Sequence, residues 1–290
     1  MVVSPFIAVD WGTTNRRAYR IEDGRIAAVE RSPLGVSAMA AGDYPAEIAG
    51  LRDRLGDLPV LMAGMVGSTI GWTVAPYVVV PAGIADIAAG LTWIDDRTAI
   101  VPGLSFVDGS RGDVMRGEEV QLLGAALAGR VPADALLCQP GTHCKWVELA
   151  GGRIARFTTA MTGELFALVR AHGVLAPQLG AAVAAGDAFV EGVREGARRD
   201  LTASLFGIRA SSVLGLRDDA DAASYASGVV IGSDFAARLE GGARDVHLVA
   251  DGDLATLYAT AIETLGGRAI VTASEDAFVA GITHIRELSA

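Results

Sequence analysis

AVDWGTTNRRAYRIEDGRIAAVE, Ala8 to Glu30, carries the pattern from which the rest of the chain can be read. The apolar run Phe6 to Val9 ends in an acid, Asp10, and then in the turn Gly12-Thr13-Thr14-Asn15. Arg16 to Ile21 and Arg25 to Val29 follow, separated by Glu22-Asp23-Gly24, a hairpin signal, so the stretch predicts three consecutive strands. A second stretch, ALLCQPGTHCKWVELAGGRIARF from Ala135 to Phe157, repeats the plan: strand Leu136 to Gln139, turn Pro140-Gly141-Thr142, strand Lys145 to Leu149, turn Gly151-Gly152, strand Arg153 to Phe157. Gly12-Thr13 stands as far from Gly141-Thr142, within one residue, as Gly24 does from Gly152. Repetition at that spacing predicts two similar lobes, each offering one Gly-Thr turn.

Such a turn suits phosphate. Glycine lets backbone N–H groups approach an oxygen closely, and threonine hydroxyls add neutral donors that carry no charge-desolvation cost. Two such turns facing each other can hold a phosphate chain from both sides, and Asp10 is suited to hold Mg²⁺ through water. A single turn of this kind is better accounted for by an ordinary hairpin capped by Asp10, because short motifs match by accident; its recurrence shifts the balance toward the ligand reading. Of 24 basic residues only Lys145 is lysine, directly behind the second turn, where a compact flexible cation suits a point contact to phosphate or carboxylate.

Around these hairpins, Tyr44 to Leu55, Glu118 to Leu127, Ala181 to Arg199, Ala222 to Leu239, Leu254 to Leu265 and Ser274 to Leu288 read as helices. Pro59 to Met62, Thr98 to Val101, Val246 to Val249 and Arg268 to Val271 read as further strands, and the alternation predicts an α/β architecture. The formal charge of -10 provides no basic field for a nucleic-acid backbone or an anionic membrane. Leu58 to Ala85 has no charged residue, but its four glycines and three prolines from Pro59 to Gly83 argue for strands and loops over a membrane helix. Cys138 and Cys144 fit no zinc spacing or disulfide framework, and no export signal is read at the amino terminus; the expected setting is the cytoplasm, with a homodimer a possible assembly.

Five blocks, AVDWGTTNRRAY, MAGMVGSTIGWTVAPY, VMRGEEVQLLGA, PGTHCKWV and MTGEL, together resemble the 2-dehydro-3-deoxygalactonokinase family of the sugar kinase, heat-shock protein 70 and actin superfamily, and the likeness runs from Ile7 to Gly281. The resemblance implies two ribonuclease-H-like (actin-like ATPase) domains flanking an active-site cleft, here 1–115 and 116–290, with the terminal helix near the hinge. It implies ATP-dependent phosphorylation of the sugar acid 2-dehydro-3-deoxy-D-galactonate at O6, with Mg²⁺. On that reading Gly12, Thr13, Thr14, Asn15, Gly141, Thr142 and Lys145 hold the ATP phosphates, and Gly252, in LVADGDL, lies at the adenosine. Asp251 stands where a superfamily member usually has glycine. Met65, Gly67, Ser68, Trp72 and Arg116 face the sugar acid. Plain core packing is the competing reading for Met65 and Trp72.

Phosphoryl transfer needs an acceptor for the hydroxyl proton, and Arg116-Gly117-Glu118-Glu119 offers two at the start of a helix. Glu118 is favoured as the base, with Glu119 close behind, because consecutive helical positions point in different directions. An acidic first turn also stabilises any helix through its dipole. Arg116 suits a carboxylate through its planar fork, or a bridge to a neighbouring glutamate. Arg16 and Arg17 point to opposite faces of their strand, so only one of them can face the cleft. Two rivals remain in view: a nucleotide-binding regulator without turnover, and a thiol hydrolase using Cys144 and a histidine, for which His143, His172, His247 and His284 offer no partner pattern. The epimer 2-dehydro-3-deoxygluconate, or a related sugar acid, is the alternative substrate.

Overall fold

The structure, a computed structural model, describes residues 4–239 and 244–289. Two compact units are present. One comprises Met1–Asp134, Val147–Phe157 and Ser274–Ala290, and the other Ala135–Trp146 and Thr158–Ala273.

The first unit opens with β1 (Phe6–Trp11), β2 (Arg16–Glu22) and β3 (Arg25–Ser32), followed by α1 (Tyr44–Leu55) and β4 (Val60–Gly64). Then come β5 (Tyr77–Val79), α2 (Ile84–Ala89), β6 (Thr92–Asp95), β7 (Thr98–Ile100), β8 (Gly103–Asp108), β9 (Arg111–Met115) and α3 (Glu118–Leu127). The second unit carries β10 (Ala135–Gln139), the hairpin β11 (Cys144–Ala150) and β12 (Arg153–Ala160), and helices α4 (Thr162–His172), α5 (Asp187–Gly196), α6 (Leu201–Val213) and α7 (Asp219–Ala236). It continues with β13 (Asp245–Val249), α8 (Gly252–Thr264) and β14 (Arg268–Thr272); α9 (Ser274–Leu288) returns to the first unit. The outer part of the β11–β12 hairpin also belongs to the first unit, where Ala82 and Ile154 form a two-way backbone bridge. Both α3 and α9 lie beyond the domain border drawn at residue 115 from the sequence, yet their contacts group them with the first unit.

The predicted repeat is present as topology. One sheet runs β3-β2-β1-β4-β7-β6 and the other β12-β11-β10-β13-β14. In the first, β1 pairs antiparallel with β2 and parallel with β4, and in the second β10 pairs parallel with β13 and β13 with β14. Central β1 is buried on both faces, which requires the nearly continuous apolar run Phe6 to Val9, whereas β3 is an edge strand with exposed positions along it. Both hairpins close on two left-handed residues, Asp23 (φ 50°) with Gly24 (φ 71°) and Gly151 (φ 58°) with Gly152 (φ 73°), the geometry that matches strand twist.

Glycines set the helix packing. In the first unit a Cβ on Gly124 of α3 would lie 2.0 Å from the carbonyl oxygen of Ala277, and one on Gly281 of α9 2.0 Å from that of Val120. In the second unit Gly192 and Gly196 of α5 interlock in the same way with Gly228 and Gly232 of α7, each hypothetical Cβ falling 2.1–2.2 Å from a carbonyl oxygen of the other helix. These helix pairs pack backbone on backbone.

Several boundaries differ from the sequence reading. Helix α5 begins at Asp187 instead of Ala181, because Gly186 is extended (φ −101°, ψ −169°). Helix α7 begins three residues before Ala222, where the Asp218 carboxylate accepts from the Ala220 N–H. Helices α4 and α6 were not anticipated; α6 buries only Ser204 and Ile208, so its apolar residues form no stripe. A small sheet, β5-β8-β9, was also missed, although Asp108-Gly109 carries a hairpin signal between its last two strands. The uncharged stretch from Leu58 forms strands and turns, and among the described residues no helix is long and apolar enough to cross a membrane.

Candidate active site

In the first unit the Gly-Thr turn is tied from below. Gly12 donates its N–H to the Asn15 carbonyl at 2.9 Å, and the carbonyls of Gly12, Thr13 and Thr14 accept from the N–H groups of Val36, Ser37 and Gly35 at 3.0, 3.0 and 3.2 Å. Gly35 presses directly on the turn: a Cβ there would stand 2.3 Å from the Thr13 carbonyl oxygen. With the carbonyls held by that strap, Thr13, Thr14 and Asn15 are left exposed.

The second unit solves the same problem with a helix. A Cβ on Gly163, at the start of α4, would stand 2.4 Å from the Gly141 carbonyl oxygen and 3.0 Å from the Thr142 Cα, while the Glu164 N–H donates to the Thr142 carbonyl at 2.9 Å. Gly35 and Gly163 thus play matching parts, and MTGEL acquires a role: its glycine is the bed of the second turn. His143, within that turn, pairs with Glu164 at 2.7 Å.

Asp10 is the last but one residue of β1, just before the first turn, opposite Arg17 on β2. Burial and the nearby charge of Glu118 push its carboxyl up to about 6, partly offset by Arg17. Arg17 therefore lies on the Asp10 face, whereas Arg16 is 1% exposed and committed to Glu30 at 2.7 Å and Glu47 at 2.6 Å. Of the two arginines, Arg16 is the structural one.

The two candidate bases separate clearly. Gly117 (φ 107°) sits back to back with Gly64 (φ 96°), a Cβ on Gly117 lying 3.0 Å from the Gly64 Cα, so the start of α3 packs closely on the end of β4. There Glu119 is fully buried, both its carboxylate oxygens accept from the Gly117 N–H (2.9 and 2.7 Å), and burial pushes its carboxyl up to about 8. Glu118 is half-exposed, accepts from the Arg116 N–H at 3.0 Å, and is the glutamate close enough to raise Asp10.

Arg116, delivered by β9, is 8% exposed and lies over the Tyr77 ring at 4.4 Å. Its Nη2 donates to the Ala75 carbonyl at 2.7 Å, while Nε and Nη1 have no hydrogen-bond partner among the described residues. Gly67 makes room for it, since a Cβ there would stand 2.8 Å from Nη1. Two donors of a buried guanidinium without acceptors are costly, and an anion would satisfy them. Ser68 uses its hydroxyl locally, donating to the Met65 carbonyl at 2.7 Å. Met65 and Trp72 pack against the core of the unit, and the Trp72 ring stacks on Tyr44 at 5.5 Å.

In the second unit Lys145 is buried and donates to Thr159 Oγ1 at 3.1 Å. A cavity of about 220 Å³ opens beside the second turn, lined by Gly141 and Gly163, by Val230 and Ile231 of α7 and by Leu254 and Tyr258 of α8. Sequence reasoning missed α7 as one of its walls, because nothing in that helix forms a motif. Gly252 (φ 59°) begins α8 but is not a lining residue, and Asp251 occupies the N-cap position before it. Cys144 is buried with its thiol 3.6 Å from that of Cys138 and is shifted upward by burial, with no histidine contact; a nucleophilic thiol has no support here.

Asp10 fits a role in holding Mg²⁺ through water: it is an acidic oxygen donor, desolvated and beside a second carboxylate, so a cation would relieve it. No group of three or more metal-ligating side chains exists among the described residues, so the remaining ligands would be water and phosphate oxygens.

Comparison with known proteins identifies the family. The chain is 37% identical to the 2-dehydro-3-deoxygalactonokinase of Escherichia coli K12 over 286 residues, 97% of each chain. It superposes with a TM-score of 0.90, at 38% identity and over 97% of both chains, on a crystal structure from Sinorhizobium meliloti assigned to the 2-dehydro-3-deoxygalactonokinases. The Acidaminococcus fermentans (R)-2-hydroxyglutaryl-CoA dehydratase component A, 12% identical with a TM-score of 0.54 over 99% of both chains, shares the fold alone. The fold is accordingly a pair of ribonuclease-H-like units of the actin-like ATPase type. The model of the 2-keto-3-deoxy-galactonokinase family matches residues 10–285, and the chain belongs to that family.

Proposed function

We propose that this protein transfers the γ-phosphoryl group of ATP to O6 of 2-dehydro-3-deoxy-D-galactonate, giving 2-dehydro-3-deoxy-6-phosphogalactonate, in the cytoplasmic breakdown of galactonate. The observation that carries the reading is the cluster at one end of β1 and β4: a half-exposed glutamate, Glu118, within electrostatic reach of Asp10 and next to a buried, under-satisfied arginine.

Each residue then has a part. Arg116 receives the sugar-acid carboxylate with its two unpaired donors, a planar match that lysine lacks. Gly67 keeps the approach to that guanidinium open. Glu118 accepts the proton of the 6-hydroxyl, while Glu119 holds the first turn of α3 and so fixes where Glu118 points. Thr13, Thr14 and Asn15 offer donors to the phosphate chain in the first unit, and Gly141 and Thr142 in the second. The apolar cavity next to the second turn suits the adenosine moiety. Mg²⁺, when bound through water to Asp10, would screen the phosphate oxygens. Positioning and charge stabilisation carry most of the rate, because phosphoryl transfer asks for little covalent chemistry from the protein.

The test is purified protein with Mg-ATP and each epimer in turn, following ADP release and the position of the new phosphate. Turnover with the galacto epimer exceeding that with 2-dehydro-3-deoxygluconate, and phosphate on O6, is the expected result. ATP binding without turnover on either would instead mark a regulator.

A further inference from the structure

Beneath the second Gly-Thr turn lies a buried carboxylate that no motif in the sequence announces. Asp234, near the end of α7, has a side chain only 6% exposed. Its Oδ2 accepts two hydrogen bonds, from Trp146 Nε1 at 3.0 Å and from Thr162 Oγ1 at 3.0 Å. Arg238, one helical turn on, brings its Nε to 3.8 Å from Oδ1, and the Cys144 thiol faces the same carboxylate.

The two donors come from the two sides of the phosphate turn. Trp146 sits in β11, just after Pro140–His143, and Thr162 opens α4, immediately before the glycine on which Gly141 and Thr142 rest. The carboxylate is itself on a rigid support, because Gly228 and Gly232 lock α7 against α5 with no room for a Cβ. A buried carboxylate carries a desolvation cost that an apolar residue of similar size avoids, so its presence points to what it holds.

We propose that Asp234 is a positioning residue for the nucleotide phosphates: by accepting from Trp146 and Thr162 with one oxygen, it clamps β11 and the start of α4 around the Gly141–Thr142 turn and holds that turn in its phosphate-binding shape. It touches no substrate. The proposal rests on the reading of that turn as a phosphate loop.

Because a single oxygen takes both donors, the amide oxygen of Asp234→Asn can keep the clamp while removing the charge. Asp234→Ala removes both, and Thr162→Val removes one arm and leaves the carboxylate with Trp146 and Arg238. The assay is calorimetric binding of Mg-ATP without sugar acid, alongside the KM for the sugar acid and a thermal melt. Asp234→Ala should weaken Mg-ATP binding about 10- to 100-fold, Thr162→Val about 3- to 10-fold, and Asp234→Asn by no more than about threefold, with the sugar-acid KM unchanged throughout. Failure of the wild-type protein to bind Mg-ATP would overturn the kinase reading itself. Binding by the wild type and equally by Asp234→Ala would overturn only the clamp, as would an equal loss for Asp234→Asn and Asp234→Ala, or a matching rise in the sugar-acid KM. If Asp234→Ala shows no cooperative melt, Thr162→Val decides: unchanged Mg-ATP affinity in that variant refutes the clamp.

Discussion

Replacing Gly163 by alanine isolates the contact that shapes the second Gly-Thr turn. The new Cβ would stand 2.4 Å from the Gly141 carbonyl oxygen and 3.0 Å from the Thr142 Cα, both backbone atoms that cannot rotate away. That is about 1 Å short of ordinary van der Waals contact, so either the turn or the start of α4 must move by that amount. Gly163 is not in the left-handed region, so steric overlap is the whole cost. Alanine gains about 1 kcal/mol of helix propensity, while overpacking costs about 1–3 kcal/mol, so the melting temperature should fall by only a few degrees. Catalysis should suffer more, because misplacing a binding group by about 1 Å costs up to about 100-fold. The expected result is a rise in the ATP KM of about 10-fold or more at an unchanged sugar-acid KM, measured by a coupled ADP assay. Gly207→Ala, in α6 with nothing near its Cβ, is the control and should do nothing to either KM. Wild-type ATP kinetics in Gly163→Ala would show that the turn is not shaped by α4.

Four further outcomes are expected. Glu118→Gln should lower kcat by about 10²- to 10⁴-fold with the melt unchanged, and Glu118→Gln turning over at the wild-type rate would remove it as the base. Glu119, raised from the usual 4.5 to about 8, binds a proton in the folded state that the unfolded chain releases; its contribution to stability is full below about pH 4.5 and is lost as pH rises through 8, so Glu119→Gln should flatten the decline in melting temperature across that window. Arg116→Lys should raise the sugar-acid KM by about 10- to 100-fold and leave the ATP KM alone, since lysine cannot match two carboxylate oxygens from that position. Gly281→Ala puts a Cβ 2.0 Å from the Val120 carbonyl and should destabilise the first unit by about 1–3 kcal/mol or more in denaturant titration, whereas full stability would mean that α3 and α9 are not in backbone contact.

Glu118 and Glu119 show where sequence reading stops. Both were visible as acids opening a helix, and helical geometry said that they diverge, but which one is buried depends on the end of β4 at Gly64, more than fifty residues earlier in the chain. Arg16 and Arg17 behave alike: strand alternation separated them, and the glutamates of β3 and α1 decided that Arg16 is the structural one. Trp72 was balanced between core and site, and the Tyr44 ring beside it tips it toward packing. Lys145 stood out by rarity, yet its amine is directed at Thr159 within the second unit.

The strand-turn-hairpin plan and its repetition were set by the sequence itself, because they depend on local preferences: apolar runs, Asp-Gly and Gly-Gly turns, and glycine where N–H groups must be bare. The beds beneath the two turns, Gly35 and Gly163, and the carboxylate that braces the second, were decided only by the tertiary structure. A glycine pressed against a distant carbonyl has no local signature, since what makes it necessary is an atom that arrives when the chain folds.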